Sequence, residues 1–312
     1  MKRELGILIN ANAKLAKRDA QLVDRLRRRL PPGRVHATSR VEDIAPALEA
    51  LLTLPLDALL LVGGDGTLAQ TLTRLLAKHD AAGLPAIVPT RGGTVNTVAT
   101  SLGARGTPEQ TLAALLRGDP FREERRAVVR VEADDGSPVF GFLFANGVGA
   151  RFLQLYYDDS PMGPAGAVSV LSRITGSALV GGDLARRIFA PFEATLAIDG
   201  APPIREKFTV IMAGAVRHVG LGFPALHSAG SDPERIHFAT TSASPAEIAL
   251  QLPALRAGSP GRSVDHASIQ RAELHFSEPL AWTIDAEFFP PASRLVIAAG
   301  PALRFRTPRP AF

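Results

Sequence analysis

The chain has 312 residues, of which 46% are apolar and 21% are charged, and it contains no cysteine. This length exceeds what one compact core usually holds, so two domains are expected. The absence of cysteine excludes a disulfide framework and a thiolate zinc site. No uninterrupted apolar run reaches the ~18 residues of a membrane span, and the N-terminus has no signal-peptide pattern. We therefore expect a cytoplasmic protein.

The formal charge of +5 is partly concentrated near the N-terminus, where Arg25, Arg27, Arg28 and Arg29 follow one another closely. One interpretation is a basic patch that attracts anionic lipid or nucleic acid. The other is the exposed face of an amphipathic helix, because apolar residues at positions 22, 23, 26 and 30 recur at helical spacing. We favour the second interpretation and expect no nucleic-acid partner.

The first 125 residues alternate between strand and helix patterns. The run at 56–62, LDALLLV, is apolar on both faces, as a central parallel strand should be. Thr107 and Pro108 open a further helix in the manner of a helix N-terminus. In chain order the pattern predicts strand 4–10, helix 13–30, strand 33–39, helix 41–52, strand 56–62, helix 68–80, strand 84–90 and helix 108–118. This alternation predicts a doubly wound parallel α/β domain over residues 1–125.

From about residue 126 the pattern changes to successive strands separated by short turns. The predicted strands cover 127–133, 138–148, 192–199, 207–216, 235–242, 271–278 and 280–289, and one helix, 245–258, interrupts them. This order predicts an antiparallel β-sandwich domain over 126–296. The segment 154–190 is compatible with helices or with a mobile flap.

A glycine loop, GGDGT at 63–67, lies between a predicted buried strand and a predicted helix. Glycine is unfavourable in ordered backbone, so three glycines in four positions need a reason. In this context Gly63, Gly64 and Gly66 can bring backbone N–H groups close to phosphate oxygens at a helix N-terminus. Asp65 would then hold a magnesium ion or accept a proton. The alternative is a tight turn with a capping aspartate, and we favour the phosphate site.

A second loop, RGGTVN at 91–96, also follows a predicted buried strand and precedes a helix. Gly92 and Gly93 are expected to permit an unusual backbone conformation, while Thr94 and Asn96 offer hydrogen bonds to a nucleotide. A plain glycine turn capped by Thr94 is the alternative. Because ligands bind at the carboxyl ends of strands in open α/β sheets, two such loops favour a shared binding crevice.

The two loops together resemble a known family. Gly63-Gly64-Asp65-Gly66-Thr67, followed by Gly93-Thr94-x-Asn96, is similar to the catalytic domain shared by diacylglycerol kinases, sphingosine and ceramide kinases and their bacterial lipid-kinase relatives. The resemblance covers nearly the whole chain. It implies a nucleotide domain of the type also found in NAD kinases, then a β-rich lipid-substrate domain over 126–296, with residues 297–312 returning to the first domain.

The resemblance also implies an activity and the residues that perform it. The expected reaction is transfer of the γ-phosphoryl group of ATP, with magnesium, to a lipid hydroxyl. The implied nucleotide-binding residues are Asn10, Gly63, Gly64, Gly66, Thr67, Gly93, Thr94 and Asn96, with Asp65 as the magnesium ligand. A lipid substrate would place the protein at the inner face of the membrane. A homodimer is a further hypothesis, since the sequence does not select an oligomeric state.

The family carries Asp-Gly-Glu on a strand near its C-terminal end, and Asp285-Ala286-Glu287 matches it in position. By resemblance Asp285 is the general base that accepts the hydroxyl proton. In a regular strand Glu287 would share a face with Asp285, where it would orient Asp285 or bind magnesium. Alanine would also replace the family's glycine there with little strain. Two surface carboxylates on an edge strand are the alternative.

Three departures from the family pattern bear on activity. Ala11 follows Asn10 where the family has proline, and Ala286 replaces a glycine. Arg151 in VGARF stands where the family has an aspartate, which reverses a charge. This change motivates a rival hypothesis, a nucleotide-binding regulatory protein without kinase activity. A NAD kinase is the other alternative, although that family has Asn-Glu where Thr97 follows Asn96 here.

The histidines offer no metal motif in the sequence. Among the seven, no pair has the i, i+4 spacing that places two imidazoles on one helix face. We therefore expect His79, His218, His227, His237 and His266 to be structural.

Overall fold

The computed structural model describes residues 4–134, 136, 138–159 and 163–309. The chain divides into two compact units, which are treated separately below. Unit 1 comprises residues 1–126 and 302–312, and unit 2 comprises residues 127–301. The return to the first unit begins at Ala302 rather than at residue 297 as predicted. The reason is that the last strand of unit 2 keeps its antiparallel partner as far as Ala299.

Unit 1 is an α/β layer built from the alternating elements that the sequence predicts. In the described residues these are β1 (Leu5–Asn10), α1 (Lys14–Arg18), α2 (Leu22–Arg27), β2 (Val35–Thr38), α3 (Ile44–Leu52), β3 (Ala58–Val62), α4 (Asp65–Lys78), β4 (Ala86–Pro89), α5 (Thr97–Ser101), α6 (Pro108–Arg117), β5 (Phe121–Arg126) and β16 (Leu303–Pro308). Thr107 begins α6 with a reciprocal capping box, in which its hydroxyl and the Gln110 side chain each accept a backbone N–H.

The sheet of unit 1 has the order β2-β1-β3-β4-β16-β5 among the described strands. The pairs from β2 to β4 are parallel, and β16 joins β4 in parallel while pairing antiparallel with β5. The central strands are buried on both faces, as their apolar runs require. The predicted parallel α/β class is therefore confirmed, with an antiparallel strand at one edge.

The helix predicted over 13–30 is two short helices, α1 and α2. Asp19 ends α1, and its carboxylate accepts the N–H of Gln21, a local bond that competes with helix continuation. The same carboxylate pairs with Arg25, which also binds Glu109. Leu22 and Leu26 are buried while the arginines at 27–29 are exposed. The amphipathic interpretation of the basic run is confirmed.

Unit 2 contains the remaining described elements. These are β6 (Val129–Glu132), β7 (Pro138–Gly141), β8 (Leu143–Asn146), α7 (Val148–Asp159), α8 (Pro164–Leu179), α9 (Asp183–Ile188), β9 (Phe192–Ile198), β10 (Ile204–Phe208), β11 (Val210–Gly214), β12 (Ile236–Thr241), α10 (Pro245–Arg256), β13 (Asp265–Ile269), β14 (Arg271–Ile284) and β15 (Glu287–Ala299). The predicted antiparallel β domain is confirmed.

The described β-strands of unit 2 form one branched sheet rather than the two separate sheets that the predicted sandwich implies. The long strand β14 is the branch point. It pairs with β15 on one side along its length. On its other side residues 272–276 pair with β9, and residues 282–284 pair with β8. One strand can serve both neighbours because it is fourteen residues long and each neighbour pairs with a different part of it. Its ladder with β15 is irregular between His275 and Trp282.

The segment 154–190 is helical where the structure describes it. Helices α7, α8 and α9 share a small core formed by Tyr156, Val170, Ile174, Ile188 and Phe189. None of the described helices is long and apolar enough to cross a membrane. Residues 160–162 lie outside the described residues.

Candidate functional site

The two glycine loops meet at the carboxyl edge of the unit 1 sheet. Strands β3 and β4 are neighbours, with Leu61 opposite Pro89, so the loops that follow them are adjacent. The N–H of Gly92 donates to the carbonyl oxygen of Gly63 at 2.9 Å and joins the loops directly. The predicted convergence of the two motifs is therefore present in the structure.

Close backbone contact explains why these positions are glycine. A Cβ on Gly64 would lie 2.9 Å from the Cα of Gly93, and a Cβ on Gly93 would lie 2.6 Å from the Cα of Gly64. A Cβ on Gly92 would lie 2.8 Å from the carbonyl oxygen of Gly63. These four residues are not among the glycines with positive φ. The expectation of an unusual backbone at Gly92 and Gly93 is wrong, because the missing side chains serve loop-to-loop contact instead.

Asn10 and Thr67 connect this junction to the end of β1. The Nδ2 of Asn10 donates to the hydroxyl of Thr67 at 2.8 Å, and its Oδ1 accepts the N–H of Asn12 at 2.8 Å. Thr67 is buried in the first turn of α4, and its side chain would collide with any Cβ at Gly63. Gly66 lies in the same turn. The ends of β1, β3 and β4 therefore bring together the nucleotide-binding residues predicted in the first half of the chain.

Asn96 braces the second loop from within. It lies in the left-handed region (φ 57°) directly before α5. Its Oδ1 accepts the N–H of Gly93 at 2.7 Å, and its Nδ2 donates to the carbonyl oxygen of Gly93 at 3.0 Å. The expected hydrogen bonds from Asn96 to a nucleotide are replaced in this structure by bonds to the loop itself. Thr94 lies half-buried in the same loop.

Asp65 is the first residue of α4, and its carboxylate caps a different helix. It accepts the N–H of Ala99 at 3.3 Å and further backbone N–H groups at Val98 and Thr97, in the first turn of α5. Burial raises the pKa of Asp65 above its ordinary value of 3.8, and the three N–H donors oppose that rise. The site thus holds a half-buried carboxylate whose charged form is disfavoured by desolvation.

The raised pKa of Asp65 predicts a pH-dependent contribution to stability. The folded chain binds this proton more tightly than the unfolded chain, so the contribution is present at low pH. It is lost as pH rises from 3.8 through the raised folded pKa. Asp65→Asn keeps an oxygen that can accept the Ala99 N–H and removes the charge. Its free energy of unfolding, measured by urea titration, should equal or exceed that of wild type at pH 7 and approach it in acid.

If Asp65→Asn had a lower free energy of unfolding than wild type at pH 7, the Asp65 anion would be favourable in the folded protein without a ligand. Asp65→Ala is the matched control, because it removes the charge and the cap together. It should be less stable than Asp65→Asn by about 1 kcal/mol at all pH values, the typical effect of losing a helix cap.

A small pocket lies at the loop junction. Residues from the two strands, the first loop and the two helices line it, among them Leu61, Gly64, Asp65, Thr90 and Ala99. Gly64 and Asp65 at the start of α4 thus border one space together with Ala99 of α5.

Asp285 and Ala286 form the turn of a hairpin in unit 2, not part of a strand. Ile284 at the end of β14 pairs with Glu287 at the start of β15, so the two residues between them reverse the chain. Both have positive φ, 48° for Asp285 and 69° for Ala286, as a two-residue primed turn requires. The prediction that Asp285 and Glu287 share one strand face is wrong. So is the prediction that Ala286 adopts strand geometry.

The Asp285 side chain is buried and clamps the hairpin to the joint between β7 and β8. Its Oδ1 accepts the N–H of Leu143 at 2.9 Å and that of Phe142 at 3.1 Å, while its own N–H donates to the Leu143 carbonyl oxygen at 2.9 Å. These bonds explain why the strand predicted over 138–148 breaks at Phe142.

The same clamp occurs at a second place in unit 2. Asp199 also has positive φ and is followed by Gly200 with φ 79°. Its Oδ1 accepts the N–H groups of Gln270 and Arg271, and its own N–H donates to the carbonyl oxygen of Arg271. The Asp285 arrangement therefore has a structural role, because the same pattern of hydrogen bonds stabilises a second turn in this unit. The two differ because Asp285 is 7% exposed, whereas the Asp199 side chain is 31% exposed.

Two further residues position the Asp285 turn, and no motif in the sequence marks them as functional. A Cβ on Gly141 would lie 2.6 Å from Oδ2 of Asp285, so glycine is needed for the carboxylate to approach. From α7, the hydroxyl of Tyr157 donates to the carbonyl oxygen of Ala286 at 2.9 Å. The pKa of Tyr157 is raised by burial, with smaller contributions from Tyr156 and Glu287. Glu287 therefore lies near this tyrosine.

Replacing Ala286 with glycine should stabilise the protein. An L-residue in the left-handed region is disfavoured by roughly 1–2 kcal/mol, part of which glycine recovers. We expect the free energy of unfolding to rise by about 1 kcal/mol in urea titrations. Gly200→Ala is the reverse experiment in the matching turn and should lower it by a similar amount. A loss of stability in Ala286→Gly would contradict the strain inferred at this turn.

Arg151 caps the end of a helix in unit 2. Its guanidinium lies on α7 and donates to the carbonyl oxygens of Ile188 at 3.1 Å and Ala190 at 2.5 Å, at the C-terminal end of α9. A cation there satisfies carbonyl groups that the helix leaves unpaired. Burial lowers the pKa of this guanidinium. The charge reversal at this position therefore has a structural role within the helical segment.

Comparison with known proteins identifies the class of the first unit. Residues 4–123 match the family model described as the diacylglycerol kinase catalytic domain. The resemblance inferred from the two glycine loops is thereby confirmed over this segment, which contains both loops. The match supports a kinase.

Solved structures extend the similarity in fold to the whole chain. One, a diacylglycerol kinase from Bacillus anthracis str. Sterne, has a TM-score of 0.63 at 13% identity, covering 99% of this chain and 97% of that one. Another from the same strain, described provisionally as a diacylglycerol kinase, has a TM-score of 0.70 with the same identity and coverage. At such identity the likeness concerns fold alone. No curated protein matches the chain in sequence.

Proposed function

We propose that the protein is a lipid kinase that transfers the γ-phosphoryl group of ATP, with magnesium, to the hydroxyl of a diacylglycerol-like or related lipid. The observation that carries the proposal is the convergence of the two glycine loops within the segment that matches the diacylglycerol kinase catalytic domain. Strand, loop and helix follow one another there as they do in phosphate sites.

The nucleotide would bind at the loop junction of unit 1. Backbone N–H groups of Gly64, Gly66 and Thr67 open the fourteen-residue helix α4 and offer its positive end to phosphate oxygens. Asn10 would contribute by holding Thr67, and Asn96 by holding Gly93. Their role in this proposal is to fix the loops, because their amide groups already bond within the protein.

Asp65 is the proposed magnesium ligand. Magnesium usually takes one or two carboxylates together with substrate phosphates and water, so a single half-buried carboxylate beside a phosphate site suits it. The described residues provide Asp65 with no Lys or Arg partner, and burial raises its pKa. A cation would offset that burial. When bound, the ion would neutralise charge on the phosphates of the nucleotide.

Asp285 is the proposed general base for the lipid hydroxyl. Two backbone N–H groups and the Tyr157 contact to Ala286 fix its turn, which keeps the carboxylate in one orientation. Two consecutive non-glycine residues with positive φ are strained, and such strain is concentrated at functional sites. Glu287, the first residue of β15, is proposed to assist this group or the magnesium ion.

The lipid would be reached at a membrane surface. In unit 2 the end of α8 exposes Leu179 and Val180, which are 60% and 83% exposed. Arg186 and Arg187 follow on α9 and are exposed as well. Apolar residues next to basic ones suit the surface of an anionic bilayer, which supports a peripheral location for this proposal.

The deciding experiment is phosphoryl transfer from γ-labelled ATP with magnesium to three acceptors in parallel: mixed-micelle lipid extract, NAD, and water. Labelled lipid is the expected product, and chromatography would then identify its class. In Asp65→Asn, transfer should fall on the order of 100-fold, as when one transition-state charge contact is lost. Labelled NAD would favour the NAD kinase alternative. ATP binding without any transfer would favour the regulatory alternative. Arg151 motivated that alternative, and its position is also explained by its hydrogen bonds at the end of α9.

A further inference from the structure

Three histidines from distant parts of unit 2 meet on one side of its sheet. His227 lies in the connection between β11 and β12, His237 in β12 and His266 in β13. One ring nitrogen from each lies within 4.8 Å of the other two. In the β12–β13 ladder Ala239 is opposite His266, so His237 and His266 are diagonal neighbours on one face. The expectation that these histidines are structural was based on the absence of an i, i+4 pair. Here the three residues come together through strand pairing and a connecting loop instead.

The rings have the spacing of a metal site. Their centroids form a nearly equilateral triangle with sides of 4.7, 4.7 and 5.1 Å. Three imidazoles around a tetrahedral ion with Zn–N bonds of about 2.0–2.1 Å have centroids roughly 5 Å apart and ligand nitrogens roughly 3.3 Å apart. The Nε2 of His237 lies 2.9 Å from the Nδ1 of His266. Only a small separation of these two rings would admit the ion.

Ser228 orients the ring of His237 within the cluster. The Nδ1 of His237 contacts the hydroxyl of Ser228 and accepts its backbone N–H at 3.3 Å, so the Nε2 of His237 faces His266. The Nε2 of His266 is buried and has no hydrogen-bond partner in the described structure. The nitrogen of this ring that faces His237, and that would bind the ion, is Nδ1.

We propose that His227, His237 and His266 bind one divalent transition-metal ion, with Zn²⁺ as the expected occupant. Imidazole nitrogen suits zinc and its neighbours in the first transition row, whereas magnesium prefers oxygen ligands. His227 is exposed, so the fourth position faces solvent and holds water. The ion ties the long connection between β11 and β12 to β13, the edge strand of the sheet. This site goes beyond the proposed kinase function and does not depend on it.

The test uses the full-length chain without a histidine tag, first stripped with chelator and then dialysed against Zn²⁺. We expect one equivalent of zinc per chain, retained in excess Mg²⁺, and a visible d–d absorption band of tetrahedral type when Co²⁺ replaces zinc. At 100 times its dissociation constant, zinc should raise the midpoint of thermal unfolding by about 5 °C or more.

Matched variants locate the site. His227→Ala removes an exposed ring and should fold normally, yet weaken zinc binding by about 10-fold or more and abolish the cobalt band. His266→Ala should do the same. His275→Ala, an exposed histidine of β14 outside the cluster, should bind zinc as wild type does. Failure of stripped wild type to bind zinc, or binding that both cluster variants retain, would overturn the proposal.

Discussion

Replacing Gly93 with alanine is expected to lower the free energy of unfolding by about 2–3 kcal/mol and to abolish nucleotide binding. The added Cβ would lie 2.6 Å from the Cα of Gly64, so one backbone must move. Overpacking of this kind costs about 1–3 kcal/mol even when flexible side chains yield, and here a main chain must yield. Separation of the loops would also break the Gly92 to Gly63 hydrogen bond. Urea titration by circular dichroism and equilibrium binding of labelled ATP measure the two effects.

Gly83→Ala is the control for this substitution. Gly83 is in the same unit, has no atom within 4 Å of its Cβ position, and is not among the residues with positive φ. Its variant should unfold within about 0.5 kcal/mol of wild type and bind ATP normally. Equal behaviour of the two variants would mean that the loops do not need their close contact.

Replacing Asp285 with asparagine is expected to lower phosphoryl transfer by about 10²–10⁴-fold, the usual contribution of a general base. Asparagine keeps an oxygen that can accept the Leu143 N–H but loses the ability to take a proton. Its amide group would also face the Phe142 N–H, so stability should fall by about 1 kcal/mol. Transfer from γ-labelled ATP at saturating lipid and urea titration separate the chemical effect from the structural one.

Asp199→Asn supplies the comparison that this experiment needs. It perturbs the same turn-and-clamp arrangement in the same unit, at a residue outside the proposed active site. We expect a similar or smaller loss of stability, and phosphoryl transfer within about 2-fold of wild type. If both variants lose transfer in proportion to stability, Asp285 is a structural clamp and the base must be another residue.

The turn at Asp285 and Ala286 could not be predicted from the sequence. The pattern LAWTIDAEFF has the apolar and aromatic content of one strand, and it carries none of the Asn-Gly or Asp-Gly signals that mark a tight hairpin. The reversal at Asp285 and Ala286 is imposed by contacts from residues far along the chain, at Phe142, Leu143 and Tyr157. Local propensity could not reveal it, because the stabilising groups lie more than 120 residues away.

The roles of Arg151 and of the histidine cluster also depend on residues that are distant in the sequence. A charge reversal relative to a family pattern suggested lost activity, whereas in the fold the arginine caps α9. The three histidines are separated by 10 and 29 positions and share a face only because of the β12–β13 register and the connection before β12. Rules about the sequence spacing of metal ligands apply within one helix or strand. They cannot identify residues that come together only through the pairing of strands in a sheet.

The sequence by itself determined the α/β and antiparallel β classes, the parallel central strands and the position of both glycine loops. These features are local: apolar runs, helix caps and glycine clusters act over fewer than about 20 residues, within reach of periodicity and turn chemistry. Only the tertiary structure showed why the two loops require glycine, which helix Asp65 caps, and which groups bind the Asp285 carboxylate. Each of those depends on atoms of two distant segments that approach within 4 Å, a distance that no local pattern specifies.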